Sequence, residues 1–420
     1  MAQEQESGSD DQSARWRNAA ALVVCAAALL YTIWPLREAY RSWNDFRFVY
    51  VAGLNWLRGI SPYDFEAWVA NWRGVPHDFL AGPPTQPFVY PPHWALLAVP
   101  LAALPWHWAT RIWDVVSVAA FAATVALCGS MLGRGSWSRP ALWLLAAAAT
   151  FSGVVRYALW ESQMGLLPLL GVVGAVSAWR RGSPRALAAF AFVAALKPQI
   201  AALPLLFLLL NGGHAGVLRG GLVAVAVSVA AMIPVGLSRF PAQFHRCLRL
   251  HMGAGFNQRD NFTNLSVLWA HLDGADAWFW VSPALALAAI ALLTMSRRRS
   301  PDGPLAAMLD DPLWLLSLLA SLSAALLPLH RYDLVIYTPV FFLALRIRPL
   351  WLSLALVALV EAADRPHLLD RLLGHGAREP WLTLGVALLC TGTLVVNQGD
   401  RRSWPAATAA GEPVGGDHAR

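Results

Sequence analysis

Residues 185–210 read RALAAFAFVAALKPQIAALPLLFLLL, an apolar run of 26 residues interrupted once, at Lys197-Pro198. A helix needs about 20 apolar residues to cross a bilayer, so the run is long enough to span. A lysine at membrane depth costs at least ~2.5 kcal/mol on insertion scales, and a proline beside it removes a helical hydrogen bond. The run therefore predicts two short half-spans meeting at Lys197-Pro198, not one straight helix. The rest of the chain fits a membrane setting. Hydrophobic residues make up 57% of the 420 and charged residues only 14%, where a soluble domain carries about 25% charged. Mean hydropathy is +0.47. A soluble enzyme, a disordered chain, a nucleic-acid binder and a disulfide scaffold are excluded for the chain as a whole.

The sequence predicts an all-α polytopic integral membrane protein with about twelve transmembrane crossings. Apart from the two half-spans, they fall at about 19–34, 107–131, 140–158, 163–179, 217–235, 278–295, 312–328, 332–346, 349–362 and 380–396. Residues 1–18 read as a polar cytoplasmic N-terminus, 19–396 as the membrane-embedded domain and 397–420 as a disordered cytoplasmic tail. The segment Pro91–Leu104 is apolar but short and closed by prolines, which predicts a helix lying in the interface. Short loops hold Arg134, Arg139, Arg180, Arg181, Arg185, Arg297 to Arg299, Arg346, Arg348, Arg401 and Arg402, all on one side if twelve spans alternate. The positive-inside rule makes that side, and both termini, cytoplasmic. The longer segments 37–106, 236–277 and 363–379 then face outward. The formal charge of +7 comes almost wholly from arginine, since Lys197 is the single lysine. That charge suits anionic lipid head groups, and no basic block suits nucleic acid. Cys247 alone among the four cysteines lies in a polar segment, and no structural disulfide is implied.

Chemistry-bearing residues gather in the outward segments. They are Trp43-Asn44-Asp45-Phe46, Gly59-Ile60-Ser61-Pro62-Tyr63-Asp64, Phe88-Val89-Tyr90-Pro91-Pro92, Trp160-Glu161-Ser162-Gln163, Asn261-Phe262-Thr263-Asn264 and His330-Arg331-Tyr332-Asp333. For an arbitrary aspartate among aromatics, a helix cap or a solvated loop charge is the commoner role. Asp64 is read as a solvated charge. Trp43-Asn44-Asp45-Phe46 is the sharpest feature, and Lys197 is the best single residue among the later motifs, because an ionisable group at membrane depth marks a binding or transfer pathway by default.

The order of these pieces resembles glycosyltransferase family 87, over about residues 19–345. The resemblance rests on an Asp after the first span, Gly-x-Ser-Pro-Tyr, Tyr-Pro-Pro, a Gln opening a later span, Lys-Pro and His-x-Tyr-Asp. It implies a GT-C-type integral membrane architecture and transfer of a hexose, typically mannose, from a polyprenyl-phosphate-linked donor. It assigns Asp45 as the catalytic carboxylate and Lys197 and His330, with Arg331, to the donor phosphate. Tyr63, Tyr90, Gln163, Asn264, Tyr332 and Asp333 become candidate substrate contacts. Where the family commonly reads Gly-Gln-x-Asn, this chain has Ser162-Gln163-Met164-Gly165.

The chemistry agrees with these residue types. A lipid phosphate is already a good leaving anion, so inverting displacement needs one base for the acceptor hydroxyl and cations for the departing phosphate. No Asp-x-Asp occurs in the chain, and a metal-independent reaction without a cofactor is expected. The acceptor is expected to be a lipid or glycan, and the site to face the periplasm from a bacterial inner membrane. The rival reading is a polytopic transporter of a lipid or anionic solute with Lys197 in its binding site.

Overall fold

The computed structural model describes residues 45–75, 86–132, 153–254 and 275–344, with isolated positions outside these ranges. Among the described residues there is no strand. The helices are α1 (Phe46–Leu57), α2 (Phe65–Arg73), α3 (Ala95–Ala102), α4 (Trp106–Ser130), α5 (Gly153–Trp160), α6 (Leu166–Arg180), α7 (Pro184–Ala194), α8 (Pro198–Leu208), α9 (His214–Met232), α10 (Phe240–Gly253), α11 (Ala275–Arg299), α12 (Pro304–Asp310), α13 (Pro312–Leu326) and α14 (Thr338–Ala344). Nearly all of the expected first span, most of those at 140–158 and 349–362, that at 380–396, the loop 363–379 and the tail lie outside the described residues.

Among the described residues, three helical stretches are long and apolar enough to cross a membrane: Trp106–Ser130, Pro198–Val235 and Val281–Arg299. A fourth arises if the 95° bent pair Pro304–Asp310 and Pro312–Leu326 counts as one. The expected break at Lys197-Pro198 is found. α7 ends at Ala194, Lys197 takes φ −133° and ψ 85°, and Pro198 opens α8, where its missing N–H leaves no bond unmade. The helix Pro198–Val235 is itself interrupted at Asn211 (φ −115°, ψ 38°) and Gly212 (φ 92°). There α8 gives way to α9, which packs on α7: a Cβ at Gly216 would strike Leu187, and one at Gly220 would stand 2.5 Å from the Ala188 carbonyl. Pro198–Val235 is therefore two elements joined by a turn.

The helix ends sort onto two faces. One holds Arg180 and Arg297 on Asp310, Arg346 on Asp311, and Arg298 on the Leu210 carbonyl. The other holds Gln163, Lys197 and Asp333, at the opposite ends of α6, α8 and α13. With 15 residues each, α6 and α13 cover about 22 Å at 1.5 Å per residue.

Two cores support this frame. The larger packs α6, α8, α13 and α14 around Leu166, Val173, Phe207, Leu315, Leu319 and Phe342. The second is aromatic and folds the segment that sequence alone showed only as polar: Phe46, Phe48, Tyr63, Trp68, Trp72, Phe88, Trp94 and Trp113 are buried together. Here α1 lies directly on α3, and a Cβ on Gly53 would stand 2.2 Å from the Ala98 carbonyl. Asp64 is not merely a solvated charge. Its carboxylate caps α2 by accepting from the Ala67 N–H at 3.1 Å. Cys247, expected in an open loop, is buried on α10, its Sγ 3.2 Å from the Tyr63 carbonyl. Burial pushes its thiol up to about 12.

Candidate active site

Asp45 begins α1, and its backbone N–H donates to the Glu161 carbonyl at 3.0 Å. That bond ties the start of α1 to the turn between α5 and α6, 116 positions later in the chain. Two residues on, Gln163 donates its side-chain Nε2 to Asp45 Oδ2. Asp45 keeps part of its surface open, yet its carboxyl is set deep in protein. Burial raises it from 3.8 to about 6; Lys197 and the Gln163 bond pull the other way, and Asp333 adds to the rise. A carboxyl at that value is mostly ionised at neutral pH and is a stronger base than a solvated one.

Lys197, 2% exposed, faces the same space from the α7–α8 break. Its Nζ lies 2.5 Å from Asp333 Oδ1 and 4.7 Å from the centre of the Tyr332 ring. Asp333 is in turn fixed by the His330 backbone N–H, which donates to its Oδ2 at 3.2 Å as the 3₁₀ turn Arg331–Tyr337 begins. His330 stacks on Tyr332, ring centres 5.1 Å apart. His251, on α10, also faces this group: its ring is held down to about 4 by burial, with His330 and Lys197 contributing. Two indoles anchor the turns that carry the site. Trp94 Nε1 donates to the Leu196 carbonyl at 2.7 Å, beside Lys197, and Trp113 Nε1 to the Ser162 carbonyl at 3.2 Å, beside Gln163. Trp113 lies seven residues inside α4, so the site is recessed about 10 Å along that helix from its Trp106 end.

The structure thus brings together Asp45, Gln163, Lys197, His330, Tyr332 and Asp333. Burial pushes the Tyr90 phenol up, and the Asp45 and Asp333 charges stand close enough to add to the rise. Tyr63 is placed otherwise: it is 1% exposed among Phe88, Phe240 and Phe244, and its hydroxyl donates to the Tyr90 carbonyl at 2.6 Å. It shapes the Tyr90 turn and does not face the carboxylates. Asn264 and the side chain of Arg331 lie outside the described residues.

Sequence reading passed over Glu161. Its carboxyl is raised to about 8, first by burial and then by Asp45, so Asp45 has a largely protonated acidic neighbour at neutral pH. The signal was its place two residues before Gln163, but a polar turn between spans looks the same whether or not it meets a distant aspartate. At Gly165, where the resemblance would place asparagine, an added Cβ would sit 3.9 Å from Asp333 Oδ1 and 3.5 Å from Val335. The departure from the family pattern therefore leaves room beside the carboxylate that holds Lys197.

A deeply set carboxyl thus faces a buried lysine in a bundle that includes helices long and apolar enough to cross a membrane. The model of glycosyltransferase family 87 matches residues 88–322, more than half of the chain. The protein belongs to that family and is a membrane glycosyltransferase, using a sugar donor and an acceptor. No curated protein and no solved structure matches it. Family membership sets the transporter reading aside.

Proposed function

We propose that the protein transfers a hexose, mannose by family resemblance, from a polyprenyl-phosphate donor to a lipid or glycan acceptor, with inversion and with Asp45 as general base. The observation that carries this reading is the Asp45 carboxyl, deeply set, held by Gln163 and facing Lys197. The acceptor hydroxyl gives its proton to Asp45 as its oxygen attacks the anomeric carbon. The bond from that carbon to the phosphate oxygen breaks, and the electron pair leaves with the phosphate. Lys197 and His330 supply the positive charge that the departing phosphate needs. No general acid is required, because the leaving group is already an anion, and the reaction proceeds without a metal or cofactor.

The architecture is GT-C-type, with about twelve crossings, both termini in the cytoplasm and the site open to the periplasm of a bacterial inner membrane. The two-faced sorting of the helix ends supports this orientation: Arg180, Arg297, Arg298 and Arg346 lie on the face away from Asp45, as the positive-inside rule requires. The test is sugar transfer from a polyprenyl-phosphate donor by purified protein in nanodiscs. Asp45→Asn should lose at least ~100-fold in turnover with donor binding kept. Turnover within a few-fold of the parent would refute the base assignment.

A further inference from the structure

Ser162, in the turn that delivers Gln163, is the one non-glycine among the described residues with positive φ, at 49°. A residue with a Cβ disfavours that region, and such strain persists only where the surroundings impose it. Here they do. The Ser162 carbonyl takes the Trp113 indole N–H at 3.2 Å. Trp113 is 1% exposed, its ring stacked on that of Phe46 at 5.2 Å and 12°, and Phe46 directly follows Asp45. The turn is bonded on both sides: Ser162 N–H to the Leu159 carbonyl at 3.1 Å and Gln163 N–H to the Ala158 carbonyl at 2.8 Å. Its product is the Gln163 amide on Asp45. An ionised carboxylate only accepts hydrogen bonds, so Nε2 must face it. Gln163 Oε1 is then left buried without a partner among the described residues, beside the atom expected to take the acceptor's proton.

We infer that Trp113 is a positioning residue of the transfer reaction: its indole N–H holds Ser162 in the left-handed turn that keeps the Gln163 amide on Asp45 and turns Gln163 Oε1 toward the acceptor hydroxyl. The inference rests on Asp45 being the base. Without the indole N–H, Ser162 relaxes toward negative φ and Gln163 leaves the carboxylate. Asp45 then loses a bond that favours its ionised form, so the acid limb of turnover moves to higher pH. The other groups facing Asp45 are Lys197 from the α7–α8 break, Asp333 and Tyr332 from the 3₁₀ turn, Glu161 from the end of α5 and Tyr90. None of them bonds to Trp113, so the movement of the limb reports on Gln163.

The experiment uses the full chain in nanodiscs, with turnover measured from pH 5 to 9. Trp113→Phe should lower kcat by about tenfold, as expected when a group beside the chemistry is displaced by less than an ångström or so, and raise the acid limb by roughly half a pH unit or more. Adding Ser162→Gly should restore the limb and most of the rate, because glycine adopts positive φ without a tether. If Trp113→Phe does not fold, β-(3-benzothienyl)alanine at position 113 keeps the ring shape and removes only the N–H. A limb that stays in place, or a double variant no better than the single one, would show that Trp113 only packs. Asp45→Asn measured alongside separates the two failures: activity in that variant removes the base reading, whereas inactivity with an unmoved Trp113→Phe limb removes only the positioning role.

Discussion

Asp45→Asn should make the protein more stable as it makes it inactive, and the two effects should part with pH. The Asp45 carboxyl stands at about 6 instead of 3.8, chiefly because it is buried. At ~1.4 kcal/mol per tenfold change in proton affinity, keeping it ionised in the folded state costs about 3 kcal/mol. The sign follows from linkage: a carboxyl raised on folding binds its proton more tightly in the native state. The penalty is absent below about pH 4, grows between 4 and 6 and is complete above 6. Asparagine keeps an oxygen for Gln163 and carries no charge, but its amide hydrogens need partners, which returns about 1 kcal/mol of the gain. The expected result is a melting temperature a few degrees above that of the parent at pH 8, at roughly 2 °C per kcal/mol for a long chain, and no gain, or a loss of about 2 °C, near pH 4. The assay is thermal unfolding in one detergent at both pH values, beside sugar transfer at pH 8. A variant no more stable than the parent at pH 8 would show that burial does not strain this carboxylate, and the argument for its basicity would go with it.

Lys197→Met should abolish transfer and destabilise the fold by about 3–5 kcal/mol, because it leaves Asp333 buried and uncompensated. Lys197→Met with Asp333→Leu should recover stability without activity, and recovery of activity would assign the pair a structural role only. A donor phosphate beside Asp45 should raise its proton affinity further. The acid limb of kcat should then lie above that of kcat/KM, which is set near pH 6 by the free enzyme; coincident limbs would place the phosphate elsewhere. A maleimide should not label Cys247 in the folded protein and should label it after denaturation, since the thiol is buried and held at about 12. Labelling of folded protein at neutral pH would contradict the packing of α10 on Tyr63.

The sequence made the broken crossing legible because its signal is local: one lysine and one proline inside 26 apolar residues. The long helix over 106–130 and the helical hairpins around Gly182 and Asn211 were legible for the same reason, being runs of apolar residues bounded by turn formers. The segment 45–75 was not. It reads as polar because Arg47, Asn55 and Asn71 interrupt it, yet Arg47 is buried between the rings of Trp72 and Trp106 at 5.2 and 5.5 Å. An arginine that stacks on tryptophans behaves as packing surface, and hydropathy cannot tell it from one in water. The site divides in the same way. Asp45, Gln163 and Lys197 stood out through motif order, whereas the pairing of Lys197 with Asp333 joins residues 136 positions apart. Tyr63, read as a candidate substrate contact, and Asp64, read as a solvated charge, each bond a backbone group instead, which sequence cannot tell from facing substrate or water.

Under the proposed reaction, the Lys197–Asp333 pair bears directly on how the donor phosphate is held. A carboxylate sitting on the only lysine looks like a competitor for the donor, but it is not free to move: Asp333 Oδ2 accepts from the His330 N–H at 3.2 Å, and its residue is 2% exposed. An ammonium has three donors, and a fixed carboxylate on one side directs the other two away from itself. The Tyr332 ring beneath Nζ closes a further side. A lysine without such neighbours would have to lose rotamer freedom when the donor arrives, whereas this one is already oriented, and a preoriented charge stabilises a departing anion without reorganisation during the reaction. The arrangement also explains why lysine suits this position. Its compact ammonium fits between a ring and a carboxylate, while the planar fork of an arginine would be taken up by Asp333 in a two-pronged bond and leave less for the phosphate.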